Sequence, residues 1–141
     1  MIRRVILDTG PLVAFLHAPD QHHDWAREIL QEVEAPMVTC EAVISEACFL
    51  LGNWPAAVEK IGGFLRSGVI KVSFSLGEEG APVFALIKRY TNMPISFADA
   101  CLVAMSERHE DSRVLTLDSD FEIYRRHRRR KIHLLTPWTE R

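Results

Sequence analysis

Two spacings of apolar residues alternate along this chain. Short runs dense in Val, Ile and Leu, bounded by Asp, Gly or Pro, are followed by longer stretches where apolar residues return every three or four positions. The first is the pattern of a buried strand and the second that of a helix. The runs predict strands at 3–7, 37–39, 69–74 and 113–117, with a possible last one at 132–135. The first strand stops at Asp8-Thr9-Gly10-Pro11, and Pro11 suits a first helical turn, where its missing N–H is not needed. That helix is expected to end near Ala18-Pro19. From His22 to Val33, Trp25, Ile29, Leu30 and Val33 share one face and charged residues fill the other. Further helices are predicted over Glu41–Leu51, read as largely buried, and over Pro55–Leu65, Pro82–Tyr90 and Ser96 to about Glu107. A short helix is predicted from Ser119 to about Arg126.

Strands alternating with helices imply parallel strands joined by crossovers, which cover both sheet faces. The expected fold class is therefore α/β, a three-layer α/β/α sandwich with a mainly parallel four- to five-stranded sheet. With 141 residues, 48% of them hydrophobic, the chain can bury one core, and it is read as a single domain over 1–141. No apolar stretch approaches the roughly 18 residues that span a bilayer. The basic start MIRR precedes too short an apolar run for a secretory signal, so a cytoplasmic location without membrane association is expected. Cys40, Cys48 and Cys101 follow no CxxC spacing and are read as reduced core residues. The net charge of −2 offers nucleic acid no global attraction, yet Arg125, Arg126, Arg128, Arg129, Arg130 and Lys131 make one dense basic run.

Chemistry is suggested by four acidic patches: Asp8 in VILDTGPLVAF, Glu46 in TCEAVISEACFLL, Asp99 in ISFADACLVAM, and Asp118 with Asp120 in VLTLDSDF. Asp8 and Asp118 follow strands, and ligands of open parallel sheets bind beyond the carboxyl ends of strands. Asp99 lies in the first turn of its helix, and Glu46 interrupts a mostly apolar one. Capping accounts for some of this placement. Asp8 suits the start of the first helix, and Ser96 with Asp99, and Ser119 with Glu122, have the spacing of capping boxes. Capping does not account for Glu46. Four converging carboxylates would repel one another unless a cation neutralised them. An all-carboxylate donor set selects a hard ion, Mg²⁺ or Mn²⁺.

The segments LDTGPLVAF, ISEACFLL, SFADACLVAMSE and LTLDSDF, in this order, resemble the motifs of PIN-domain proteins, and within them the VapC-type ribonuclease toxins. The resemblance frames nearly the whole chain. It implies a three-layer α/β/α nuclease domain whose acidic quartet, here Asp8, Glu46, Asp99 and Asp118, holds Mg²⁺ or Mn²⁺ and cleaves RNA. In TLDSDF either Asp118 or Asp120 faces the metal, and Asp120 stands as a fifth candidate ligand. Thr9 and Thr116 match hydroxyl positions near such a site. The resemblance also implies a partner antitoxin, RNA as substrate, and self-association as a homodimer. Lys88 and Arg89 are candidate cations for substrate phosphates, as is the 125–131 run.

Two readings compete. A phosphoryl-accepting receiver domain also places carboxylates at strand ends, but it wants an acidic pair after its first strand, where Asp8 stands alone. A binding module of the same fold would hold RNA or protein without cutting, and a free-standing nuclease would have the same site with no antitoxin.

Overall fold

The structure, a computed structural model, describes residues 1–139. Five strands make one parallel sheet: β1 (Val5–Leu7), β2 (Met37–Thr39), β3 (Ile70–Val72), β4 (Arg113–Leu115) and, after an antiparallel hairpin of β5 (Arg125–Arg126) and β6 (Arg130–Lys131), β7 (Leu134–Leu135). Their order is β3-β2-β1-β4-β7, so β1 lies at the centre. Side chains alternate across the pleat. Val5 and Leu7 enter one core with Met37, Ile70, Leu115 and Leu135, while Ile6 and Val114 enter the other.

The helices divide accordingly. On the Val5 side lie α1 (Thr9–Leu16), α2 (His23–Glu32) and α4 (Pro55–Ser67), and on the Ile6 side α6 (Ala81–Arg89) and α7 (Phe97–Arg108). Helix α7 is the spine of its layer, buried from Ala100 to Ser106 with Leu102 and Val103 wholly enclosed. A helix apolar all round belongs in a core. Between the layers runs α3 (Glu41–Leu50), whose Val43 joins one core while Ala47, with Leu51 just after the helix, joins the other. Because α3 straddles the sheet's carboxyl edge, much of it stays open: Phe49 is 83% exposed and Leu50 53%. The expectation of a largely buried helix over 41–51 is corrected by that placement.

Other departures are local. The strand expected over 69–74 shortens to Ile70–Val72, and a helical turn, α5 (Leu76–Glu79), follows it, capped by Ser75. The helix expected to run to Arg126 stops as a 3-10 turn at Ser119–Glu122. The chain then turns back as the β5–β6 hairpin, in which Tyr124 and Arg126, two positions apart, are both buried and Arg126 bonds the Ser106 carbonyl of α7, the alternation of a strand. Cys40 and Cys101 are buried, but Cys48 is only half-buried. No helix among the described residues is long and apolar enough to cross a membrane.

Candidate active site

Strand order decides where the site lies. From β1 the chain moves outward through β2 to β3, then returns across the sheet to β4 on the other side of β1. The crevice between the carboxyl ends of β1 and β4 is thus the point where connections diverge, the preferred ligand position in such sheets. Asp8 follows β1 directly and Asp118 follows β4 after Thr116 and Leu117.

A cavity of about 760 Å³ opens there, lined by Asp8, Glu46, Asp99, Asp118, Asp120 and Tyr124 among others. All five predicted acids therefore face one space. Asp8 is the deepest, 6% exposed, and caps α1 while serving the cavity. Its Oδ1 accepts from the Thr9 amide at 2.7 Å and its Oδ2 from Thr116 Oγ1 at 2.6 Å. Thr116 is itself held, since its hydroxyl accepts from the Asp118 amide at 3.0 Å. The Thr9 hydroxyl makes no bond to a carboxylate; it is buried without a partner.

Asp118, not Ser119, caps the 3-10 turn, accepting from the Asp120 amide at 2.9 Å. The expected Ser119–Glu122 box is replaced by this contact, and the Glu122 carboxylate instead accepts from Trp138 Nε1 at 3.0 Å. Only half of the other expected box forms. Ser96 Oγ accepts from the Asp99 amide at 3.0 Å, but the Asp99 carboxylate does not return the bond; its Oδ2 accepts from Tyr124 O–H at 3.2 Å. Glu46 reaches the cavity from exposed α3, and Asp120 stands at the exposed rim.

The electrostatics follow from this crowding. Burial pushes the Asp8 carboxyl up to about 6, opposed by its bonds from Thr116 and the Thr9 amide and assisted by the charges of Asp118 and Glu46. Asp99 rises to about 7, through burial first and then the charges of Asp8 and Asp118, with the Tyr124 bond acting against them. The Tyr124 phenol, buried and next to Asp99, is held protonated well above its ordinary range. It is fixed by an edge-to-face contact with Phe121 at 5.2 Å and another with Tyr90 at 5.3 Å.

Tyr124 is the site residue that the sequence reading missed. It sits six positions after Asp118, beyond the turn, and only the hairpin that replaces the expected helix aims its hydroxyl at Asp99. Lys88 and Arg89, by contrast, are exposed in the last turn of α6 and do not line the cavity.

The donors suit a hard cation: every acidic ligand is a carboxylate, two are pushed toward neutrality by burial and mutual repulsion, and the buried Thr9 hydroxyl is unsatisfied. Among the described residues no three acidic, His or Cys side chains are already drawn together closely enough to enclose an ion.

Among solved structures, the fold is similar to that of Mycobacterium tuberculosis VapC20, described as a sarcin-ricin loop cleaving toxin. The TM-score is 0.75 at 20% sequence identity, covering 84% of this chain and 93% of that one. At this identity the likeness is one of fold. No curated protein matches the chain. A family profile, PIN domain, matches residues 5–126, a span that includes all five acids and Tyr124, and the chain belongs to the PIN domain family.

Proposed function

We propose that this protein is a divalent-cation-dependent endoribonuclease and the toxin of a type II toxin–antitoxin pair, working in the cytoplasm as a homodimer with Mg²⁺ or Mn²⁺. The observation that carries the catalytic reading is the convergence of Asp8, Glu46, Asp99, Asp118 and Asp120 on one crevice, with Asp8 and Asp99 pushed to about 6 and about 7. Such perturbed pairs concentrate at catalytic centres. The toxin role rests on family membership together with the shared fold, and the comparison protein is described as an RNA-loop cleaving toxin.

A bound divalent cation would supply Lewis-acid polarisation of the scissile phosphoryl group and a water of lowered pKa. Asp8, Glu46, Asp99 and Asp118 are the residues that would hold it, with Asp120 at the rim. Thr116 and the Thr9 amide keep the Asp8 carboxylate in one orientation. Tyr124 fixes Asp99 by donating to its Oδ2. In the metal-free site Asp99 is raised further than Asp8, which makes it the carboxylate assigned here to moving a proton.

The test is incubation of total RNA with the protein in Mg²⁺, Mn²⁺ or EDTA, alongside Asp99→Asn. Cleavage is expected in either metal, none in EDTA, and a loss of at least about a hundredfold in the variant, with its thermal unfolding still cooperative. Cleavage that persists in EDTA or in Asp99→Asn overturns the proposal. RNA that is bound but never cut, in metal or without it, identifies a binding module instead.

A further inference from the structure

The β5–β6 hairpin turns the basic run of the sequence into two sets of cations with different work. Arg125, Arg126 and Arg130 are consumed internally. Arg125 Nη1 donates to the carbonyls of Glu122 at 2.8 Å and Ile123 at 3.0 Å. Arg126, 5% exposed, donates to the Glu110 carbonyl at 3.0 Å and to Glu110 Oε2 at 2.8 Å. Arg130 reaches the same carboxylate at 3.2 Å. The turn is clamped further by the His127 amide, which donates to Glu107 Oε2 at 2.6 Å, and by the His127 ring against Glu110 Oε1 at 2.8 Å. Arg128, Arg129 and Lys131 are exposed and have no partner among the described residues.

The tip of this hairpin is exposed, and two features mark it as a fixed, charged element. His127 and Arg128 adopt φ of 49° and 69°, a left-handed conformation that Gly or Asn would suit better and that side chains such as these disfavour. The clamp to Glu107 and Glu110 holds them there. Further, the segment contains six of the chain's 17 basic side chains, in a protein of net charge −2. The hairpin also begins at the acidic site: Tyr124 bonds Asp99, and the Arg125 amide donates to Tyr90 Oη at 2.9 Å. From Asp99 to Glu107 the axis of α7 advances about 12 Å. The free cations are therefore displaced from the crevice by a few nucleotides of chain.

We propose that the hairpin is a backbone-binding arm for RNA, in which Arg128, Arg129 and Lys131 contact phosphates flanking the one bound in the crevice. This rests on the reading of RNA as the ligand of the site and adds where its flanking strand lies. The acidic crevice repels a polyanion, so affinity has to come from cations outside it, and these three are free, exposed and fixed on a clamped turn. They read charge and not sequence, since phosphate contacts position a nucleic acid without specifying bases.

The test measures binding of a fluorescent RNA stem-loop in EDTA, by anisotropy, across a salt series. The Arg128→Gln/Arg129→Gln/Lys131→Gln variant is compared with wild type and with Lys60→Gln/Arg66→Gln/Lys71→Gln, which removes equal charge from exposed positions elsewhere. The slope of log affinity against log salt is expected to fall in magnitude by about 2 to 3 in the hairpin variant. Raising salt from about 50 to 200 mM then weakens wild-type binding about 16- to 64-fold more than it weakens the variant. Arg129→Gln alone, which leaves the left-handed pair untouched, lowers the slope by about 1. A slope unchanged in the hairpin variant, an equal fall in the control variant, or binding of polyglutamate but not RNA by wild type overturns the arm. Because the readout needs no cleavage, a protein that fails to cut RNA in Mg²⁺ but shows these slopes refutes the nuclease and keeps the arm.

Discussion

Asp8→Asn should make the metal-free protein more stable at alkaline pH while removing a proposed ligand. The Asp8 carboxyl is moved from 3.8 to about 6, chiefly by burial, so its ionised form carries about 3 kcal/mol of unfavourable free energy in the fold. The sign follows from proton counts. Between pH 3.8 and about 6 the folded state binds a proton at Asp8 that the unfolded state has lost, so stability falls as pH rises and the full penalty is present above about 6. Asparagine removes the charge but offers its one oxygen to only one of the two donors, the Thr9 amide at 2.7 Å or the Thr116 hydroxyl at 2.6 Å, and sets its NH2 against the other. That rearrangement costs about 1 kcal/mol. The net gain in EDTA is about 2 kcal/mol at pH 8 and about zero at pH 4.5. For a domain of this size it appears as a Tm raised by about 4 to 8 °C at the higher pH only. Relief of Asp99, which Asp8 also pushes upward, acts in the same direction. Differential scanning fluorimetry at the two pH values, with and without Mg²⁺, measures all of this. Mg²⁺ should raise the wild-type Tm at pH 8 and leave the variant nearly unchanged. A variant less stable than wild type at pH 8 in EDTA, or one offset equally at both pH values, refutes the assignment of Asp8 as a buried, repelled charge.

Tyr124→Phe removes the 3.2 Å bond that opposes the upward push on Asp99, so the acidic limb of the pH–rate profile should move to higher pH with cleavage reduced about 3- to 10-fold at pH 7. An unmoved limb would reduce Tyr124 to a packing residue. Arg126→Ala strips the hairpin of its buried clamp and is expected to lower stability by about 2 to 3 kcal/mol, with amide exchange accelerated first between 125 and 131. Uniform exchange across the sheet would show that the hairpin has no separate stability.

Much of the architecture was legible because it follows from local rules. Val5–Leu7 and Val114-Leu115 are short β-branched and apolar runs bounded by turn signals, which suits a covered strand, and the helices between strands announced themselves by spacing, Pro11 and Ser96 included. The strand at 37–39 has the expected bounds, while the others lose one or two residues at an end, since pairing stops where the neighbouring strand of the sheet does. The acids after β1 and β4 could be placed at the sheet's carboxyl edge for the same reason. Their joint use could not, because sequence leaves the strand order and the path of α3 open.

By itself, then, the chain determined alternating strands and helices, a hard-oxygen donor set, and the motif order of its family. Tertiary structure alone decided that β1 and β4 are neighbours, that α3 crosses their ends to deliver Glu46, and that a hairpin instead of a helix brings Tyr124 to Asp99. Periodicity reports which face of an element is buried, a property of adjacent residues. Charge repulsion, hydrogen bonds and burial at Asp8 and Asp99 arise between residues up to 108 positions apart, and only the packed fold sets those distances.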